Sequence, residues 1–170
     1  SKQGVMPFKL NKAQLFLHEK INDQLRRRGK VRLILLKGRQ MGGSTYIGAR
    51  FYWKMTHMRG LRVFILTHQD QATENLYEMV RRFHDNCPEQ VRPIAGTHNA
   101  KELSFPNLDS GYKIGTAGSK AVGRSSTIQL CHWSEMAFSS YAEDHFAGLM
   151  QAIPAQGYSE SIIESTANGE

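Results

Sequence analysis

An α/β fold with a mainly parallel central sheet flanked by helices is predicted for this chain of 170 residues. Three observations predict it. Short apolar runs alternate with segments of helical periodicity. A glycine-rich turn joins the first apolar run to a helix. Hydrophobic residues make up 40% of the sequence, enough for one domain of this length to bury a core.

The elements follow in order. Asn11 is placed to cap a helix running to about Arg28, where Gly29 stops it. Ala13, Leu17, Ile21 and Leu25 recur every four residues in that helix as a buried stripe. Arg26, Arg27, Arg28 and Lys30 gather at its end, where the helix dipole favours positive charge. Val31–Leu36 is an apolar run expected to form a strand covered on both faces. Residues 37–43 form the glycine-rich turn, and 44–58 a helix. A second buried strand is predicted over 61–67, then a helix over 71–86 that Pro88 cannot continue. Glu102–Phe105 and residues 112–116, separated by a Pro- and Gly-containing stretch, read as a hairpin. Residues 117–126 read as a Gly/Ser-rich loop, 127–132 as a strand, 141–152 as a helix and 161–165 as a last strand. The chain ends two residues after Asn168 with no helix to cover that strand, so residues 1–170 are expected to be one domain excised from a longer protein.

Composition removes several classes of function. No stretch approaches the roughly 20 apolar residues of a membrane-spanning helix, and residues 1–12 lack the apolar centre of a secretory signal. Cys87 and Cys131 show no metal-ligand spacing and suit a reducing cytoplasm. A formal net charge of +7 favours a polyanionic partner such as DNA or RNA.

The sharpest chemical signal is Lys37-Gly38-Arg39-Gln40-Met41-Gly42-Gly43-Ser44-Thr45, between strand and helix. Glycines let a backbone curl so that its N–H groups face phosphate oxygens, and the following helix adds its positive end. A hydroxyl at the start of that helix can ligate Mg²⁺. The ordinary pattern places a lysine after the last glycine, and none stands there. Two registers remain. Gly38 with Gly43 puts Ser44 at the lysine position and Thr45 on the metal. Alternatively Gly42 is the last glycine, Gly43 replaces the lysine and Ser44 holds the metal, the register preferred here. In either register Lys37 or Arg39 must supply the cation from the front of the loop.

Such a loop needs an acid at the end of a hydrophobic strand. The run Ile128-Gln129-Leu130-Cys131-His132-Trp133-Ser134-Glu135 ends in Glu135, the expected catalytic base. Ser134 occupies the usual aspartate position, where its hydroxyl can hold a metal-bound water without adding charge. A lone arginine in a Gly/Ser loop is usually a solvated charge. In ring ATPases, though, an arginine near the acid strand can reach a neighbour's γ-phosphate, which makes Arg124, ahead of this strand, the candidate. At the end of the last strand Thr166 and Asn168 can sense the γ-phosphate and, with Ser165, couple its loss to the rest of the domain. Gln14 can donate and accept at once, and so can read an adenine edge.

Taken in order, Gln14, Gly38-Arg39-Gln40-Met41-Gly42 with Ser44, Thr116-Ala117-Gly118, Gly123-Arg124, Ser134-Glu135 and Ser165-Thr166-Ala167-Asn168-Gly169 resemble the ATPase domain of tailed-bacteriophage large terminase subunits. The resemblance spans nearly the whole chain, from Phe8 to Gly169. It implies an ASCE-type P-loop ATPase using ATP and Mg²⁺ to translocate double-stranded DNA into a procapsid. It implies a homo-oligomeric ring on the portal protein, a small terminase subunit as partner, and action in the host cytoplasm away from any membrane. The isolated domain is expected to be monomeric and nearly inactive. The resemblance also implies that Arg124 acts in trans and that Arg39 is the loop arginine. The acidic metal cluster of a C-terminal nuclease domain finds no match, so DNA cleavage is not expected. Two rivals stand beside this reading. One is a helicase-like P-loop ATPase, suggested by Leu66-Thr67-His68; the other is a nucleotide-dead DNA-binding module, favoured by the absent lysine and aspartate.

Overall fold

The computed structural model describes residues 6–99, 101–116, 127–139 and 142–167. In chain order they form α1 (Lys12–Arg28), β1 (Val31–Leu36), α2 (Gly43–His57), β2 (Arg62–Thr67), α3 (Asp70–Asp85), β3 (Glu102–Phe105), β4 (Ser110–Thr116), β5 (Leu130–Ser134), α4 (Ala142–Ala152) and β6 (Glu160–Ser165). The strands build one sheet in the order β1-β6-β5-β2-β4-β3. Every neighbouring pair is parallel except β3 with β4, so the predicted fold class holds. The hairpin belongs to the sheet: β4 pairs with β3 on one side and with β2 on the other.

Chain order and sheet order differ where it matters. The last strand, β6, inserts between β1 and β5. The loop after β1, the acid after β5 and the end of β6 therefore meet at the carboxyl ends of three adjacent strands, where open parallel sheets bind ligands.

Two-residue alternation assigns side chains to faces. Val31 of β1, Val63 and Ile65 of β2, Leu130 of β5 and Ile162 of β6 join one core with Leu17 and Ile21 of α1 and Ile47, Phe51 and Met55 of α2. Leu66, Cys131, Trp133 and Ile163 turn the other way and pack with Leu149 of α4. Glu160, Ile162 and Glu164 thus share the α2 face, level with Leu130, His132 and Ser134 on β5.

Two expectations are corrected. Covering β1 on both faces fails: it is an edge strand, and Ile34 and Leu36 are 79% and 73% exposed because α4 covers the inner strands instead. The strand expected over 127–132 starts at Leu130 and runs to Ser134, since Ile128 and Gln129 bond outside the ladder, to Ala152 and Arg62. The cap on α1 is as expected and stronger. Asn11 and Gln14 exchange side chain-to-backbone hydrogen bonds of 2.9 Å in each direction, and Gly29 takes the left-handed conformation at φ 67°.

Burying Glu160 under α2 requires partners. Arg50 grips it with two bonds of 2.7 and 2.9 Å, Lys54 lies at 3.4 Å, and the Tyr158 hydroxyl donates at 2.9 Å. Burial alone would raise the Glu160 carboxyl, but the Arg50 fork, then Lys54 and Tyr158, outweigh it and hold it below 4.5. A depressed carboxyl stabilises the fold fully above the unfolded value and ceases to do so as pH falls through the folded one. Urea unfolding should therefore show stability falling below pH 4.5. Glu160→Gln should cost about 3 kcal/mol at neutral pH, because Arg50 is left buried without its counter-charge, and should flatten that acid limb. An unchanged limb would remove this account of Glu160.

Candidate functional site

Between β1 and α2 the backbone turns on Gly42, at φ 77°, and on Gln40, a non-glycine at φ 59°. The loop is strapped to the start of α1: Gln14 Nε2 donates to the Gly42 carbonyl at 2.9 Å, and Asn11 Nδ2 to the Met41 carbonyl at 3.3 Å. With its Oε1 in the helix cap, Gln14 has both amide functions engaged and is 5% exposed. A side chain at Gly42 or at Gly43 would press on its neighbours. A Cβ on Gly42 would lie 2.6 Å from Gln14 Nε2. One on Gly43 would meet Glu164 Oε2 at 3.0 Å and the Lys37 stem at 3.2 Å. Lys37 thus runs over the place where a lysine at position 43 would start.

Lys37 is 11% exposed and lies between two acids, 3.4 Å from Glu135 Oε1 and 3.7 Å from Glu164 Oε2. Glu135 follows β5 in the left-handed region at φ 55°, which costs roughly 1–2 kcal/mol for a residue with a side chain. The backbone N–H and the hydroxyl of Thr166, just past β6, donate to its Oε2 at 3.0 and 2.9 Å. Burial would push the Glu135 carboxyl up; the Thr166 bonds and then Lys37 outweigh burial and hold it below its ordinary value. It is ionised at neutral pH, as a general base must be.

Glu164 is the centre of the cluster, with its side chain 0% exposed. Its Oε1 accepts from the Ser44 hydroxyl, from Ser134 Oγ at 3.0 Å and from His132 Nε2 at 3.0 Å. Burial opposes its ionisation, yet the His132 ring, then Ser44 and Lys37, bring the carboxyl down to about 2.

The structure therefore brings Lys37, Gly42, Gly43, Ser44, Ser134, Glu135 and Thr166 together. Ser165 is adjacent, its Oγ accepting from Ala137 N–H at 3.3 Å. Thr45 is half-buried in the first turn of α2, whereas Gly38, Arg39, Gln40 and Met41 are exposed along the loop. Arg124 and Asn168 lie outside the described residues. A cavity of ≈ 440 Å³ flanks the loop, lined by Gln14, Phe16, Lys20, Leu36, Lys37 and Met41 among others. Two participants were missed from sequence, Glu164 and His132. The available signal was Glu160 and Glu164 at the two-residue strand period in an otherwise apolar run, since acids facing a helix-covered side require partners. Among the described residues no group of three or more His, Cys, Asp or Glu side chains is arranged to hold a metal unaided.

No family model and no curated protein sequence matches the chain. Solved structures do match. The fold is similar to the HK97 bacteriophage large terminase, with TM-score 0.78 and 14% identity over 95% of this chain and 34% of that one. It is similar to the large terminase of a thermophilic bacteriophage, with TM-score 0.68 and 13% identity over 93% and 39%. The large terminase ATPase domain of Thermus phage P74-26 gives TM-score 0.57 and 18% identity over 98% and 68%. The chain thus spans little more than a third of the first two proteins. Identities this low speak for a shared fold.

Proposed function

We propose that this chain is the ATPase motor domain of a viral large terminase, coupling ATP hydrolysis to the movement of double-stranded DNA into a procapsid. The observation that carries the reading is the convergence of Lys37, Ser44, Glu135 and Thr166 on the glycine loop at the start of α2. The similarity in fold to three terminases supports it, and the charge of +7 suits a DNA track. On this reading the chain works as a homo-oligomeric ring at the portal in the host cytoplasm, with Arg124 reaching a neighbour's site. No described helix is long and apolar enough to cross a membrane.

In the proposed mechanism the backbone of residues 38–44 cradles the phosphates, and the base enters the cavity beside Phe16 and Gln14. Lys37 supplies the cation. Its crossing over Gly43 supports the register in which glycine replaces lysine, and Ser44 on Glu164 supports the metal-side hydroxyl in that same register. Ser44, with Ser134 through water, would hold Mg²⁺, which neutralises charge on the phosphate oxygens. Glu135 takes the proton of the attacking water. When Lys37 turns from Glu135 to a phosphate, Glu135 loses a counter-charge and becomes a stronger base. Thr166 carries the change in Glu135 to the end of β6.

Calorimetry tests this. ATP with Mg²⁺ should bind one site per chain, in competition with ADP, and double-stranded DNA should not displace it. Absence of saturable nucleotide binding would sink the reading.

A further inference from the structure

A P-loop hydroxyl and a strand-end aspartate together normally serve the Mg²⁺ that accompanies the phosphates. Here Ser134 stands at the aspartate position and carries no charge. In the parallel ladder Ser134 faces Glu164 directly, and Glu164 in turn faces Leu35 of β1. A carboxylate therefore lies at the level of the missing one, a single strand nearer the phosphate loop.

Its surroundings are those of a ligand held ready. Glu164 Oε1 is fixed by Ser44, Ser134 and His132. Its Oε2 is buried and has no hydrogen-bond partner, with Lys37 at 3.7 Å. A buried carboxylate oxygen without a hydrogen bond costs on the order of 1–3 kcal/mol or more, so its persistence requires an explanation. That oxygen also lies 3.0 Å from the position a Gly43 Cβ would take, at the mouth of the loop.

Building on the ATPase reading above, we infer that Glu164 is the metal-side carboxylate of the site, displaced from β5 to β6, with Ser134 and His132 as its positioning residues. The motor then keeps a complete pair of acids: Glu135 for the water, Glu164 for the cation. The Ser134 substitution removes no charge from the site, because the charge resides one strand over.

The test compares ATP affinity in Mg²⁺ and in EDTA by calorimetry on the 170-residue chain. The wild type should bind more tightly with Mg²⁺. Glu164→Gln, which keeps the shape and an acceptor, should retain binding in EDTA and lose roughly 10–100-fold of the Mg²⁺ enhancement. Adding Ser134→Asp to that variant should restore part of it by returning a carboxylate to β5. An enhancement unchanged in Glu164→Gln would make Glu164 structural and overturn the assignment. If melting curves show that variant unfolded, Glu164→Asp carries the test: a severalfold weaker enhancement supports the assignment, and an equal one overturns it. Wild type that binds ATP in neither buffer would remove the ATPase reading itself, and the assignment with it.

Discussion

Assayed in the assembled motor, Lys37→Ala is expected to lower ATP turnover by on the order of 10²–10³-fold, the loss seen when a fixed donor to transition-state charge is removed, with a smaller loss for Arg39→Ala. The difference rests on position. Lys37 is 11% exposed and already lies between the two acids, whereas Arg39 stands exposed on the loop. Removing Lys37 would take away the cation proposed for the phosphates and leave Glu135 and Glu164 without their shared cation. Initial rates of phosphate release, with melting temperatures measured in parallel, separate loss of function from loss of fold. A reciprocal change sharpens the argument. Gly43→Lys alone should damage the site, because its Cβ would press on the Lys37 stem at 3.2 Å and on Glu164 Oε2 at 3.0 Å. In the Lys37→Ala background the first of these contacts is gone. The double variant, with its lysine in the ordinary place, should exceed Lys37→Ala in rate. If Arg39→Ala proved the dead variant and Lys37→Ala ran at nearly full rate, the loop's cation would be Arg39.

Much of this arrangement was legible in local patterns. The capped first helix, the glycine turn and the strand ending in Glu135 each carry a signal within a dozen residues, and each lies where expected to within a few positions. What local pattern cannot carry is sheet order. Whether a strand is central or on an edge depends on which distant strand pairs with it, so β1 read as doubly covered although Ile34 and Leu36 face outward. The same blindness hid Glu164. Its chemistry comes from lying between β1 and β5, beside Ser134 and beneath Ser44, and those neighbours are 30 and 120 residues away in sequence. Gln14 shows the converse limit. An amide able to read a base is also able to close a helix cap and hold a loop carbonyl, and only the fold shows that it does both.

Glu135→Gln should reduce turnover by on the order of 10²–10⁴-fold, the usual contribution of a general base, while ATP binding persists. An amide is nearly isosteric, and its oxygen can still accept both bonds from Thr166, so that contact survives and only proton acceptance is lost. Facing Lys37, the amide nitrogen offers a donor to a donor; Lys37 is thereby freed toward the phosphates, and affinity for ATP should hold or rise. The pH profile distinguishes a base from a structural carboxylate. A base works only when deprotonated, so rate falls as pH falls through its pKa. In the free protein that value lies below the ordinary 4.5, because the Thr166 bonds and Lys37 outweigh burial; the acid limb of kcat/KM should lie there. On the proposed reading Lys37 is drawn to phosphate in the ATP complex and the site gains negative charge, both of which would raise the carboxyl. The acid limb of kcat should therefore lie at higher pH than that of kcat/KM. Equal limbs would mean that Lys37 does not leave Glu135 on binding, and a Glu135→Gln rate above a tenth of wild type would move the base elsewhere.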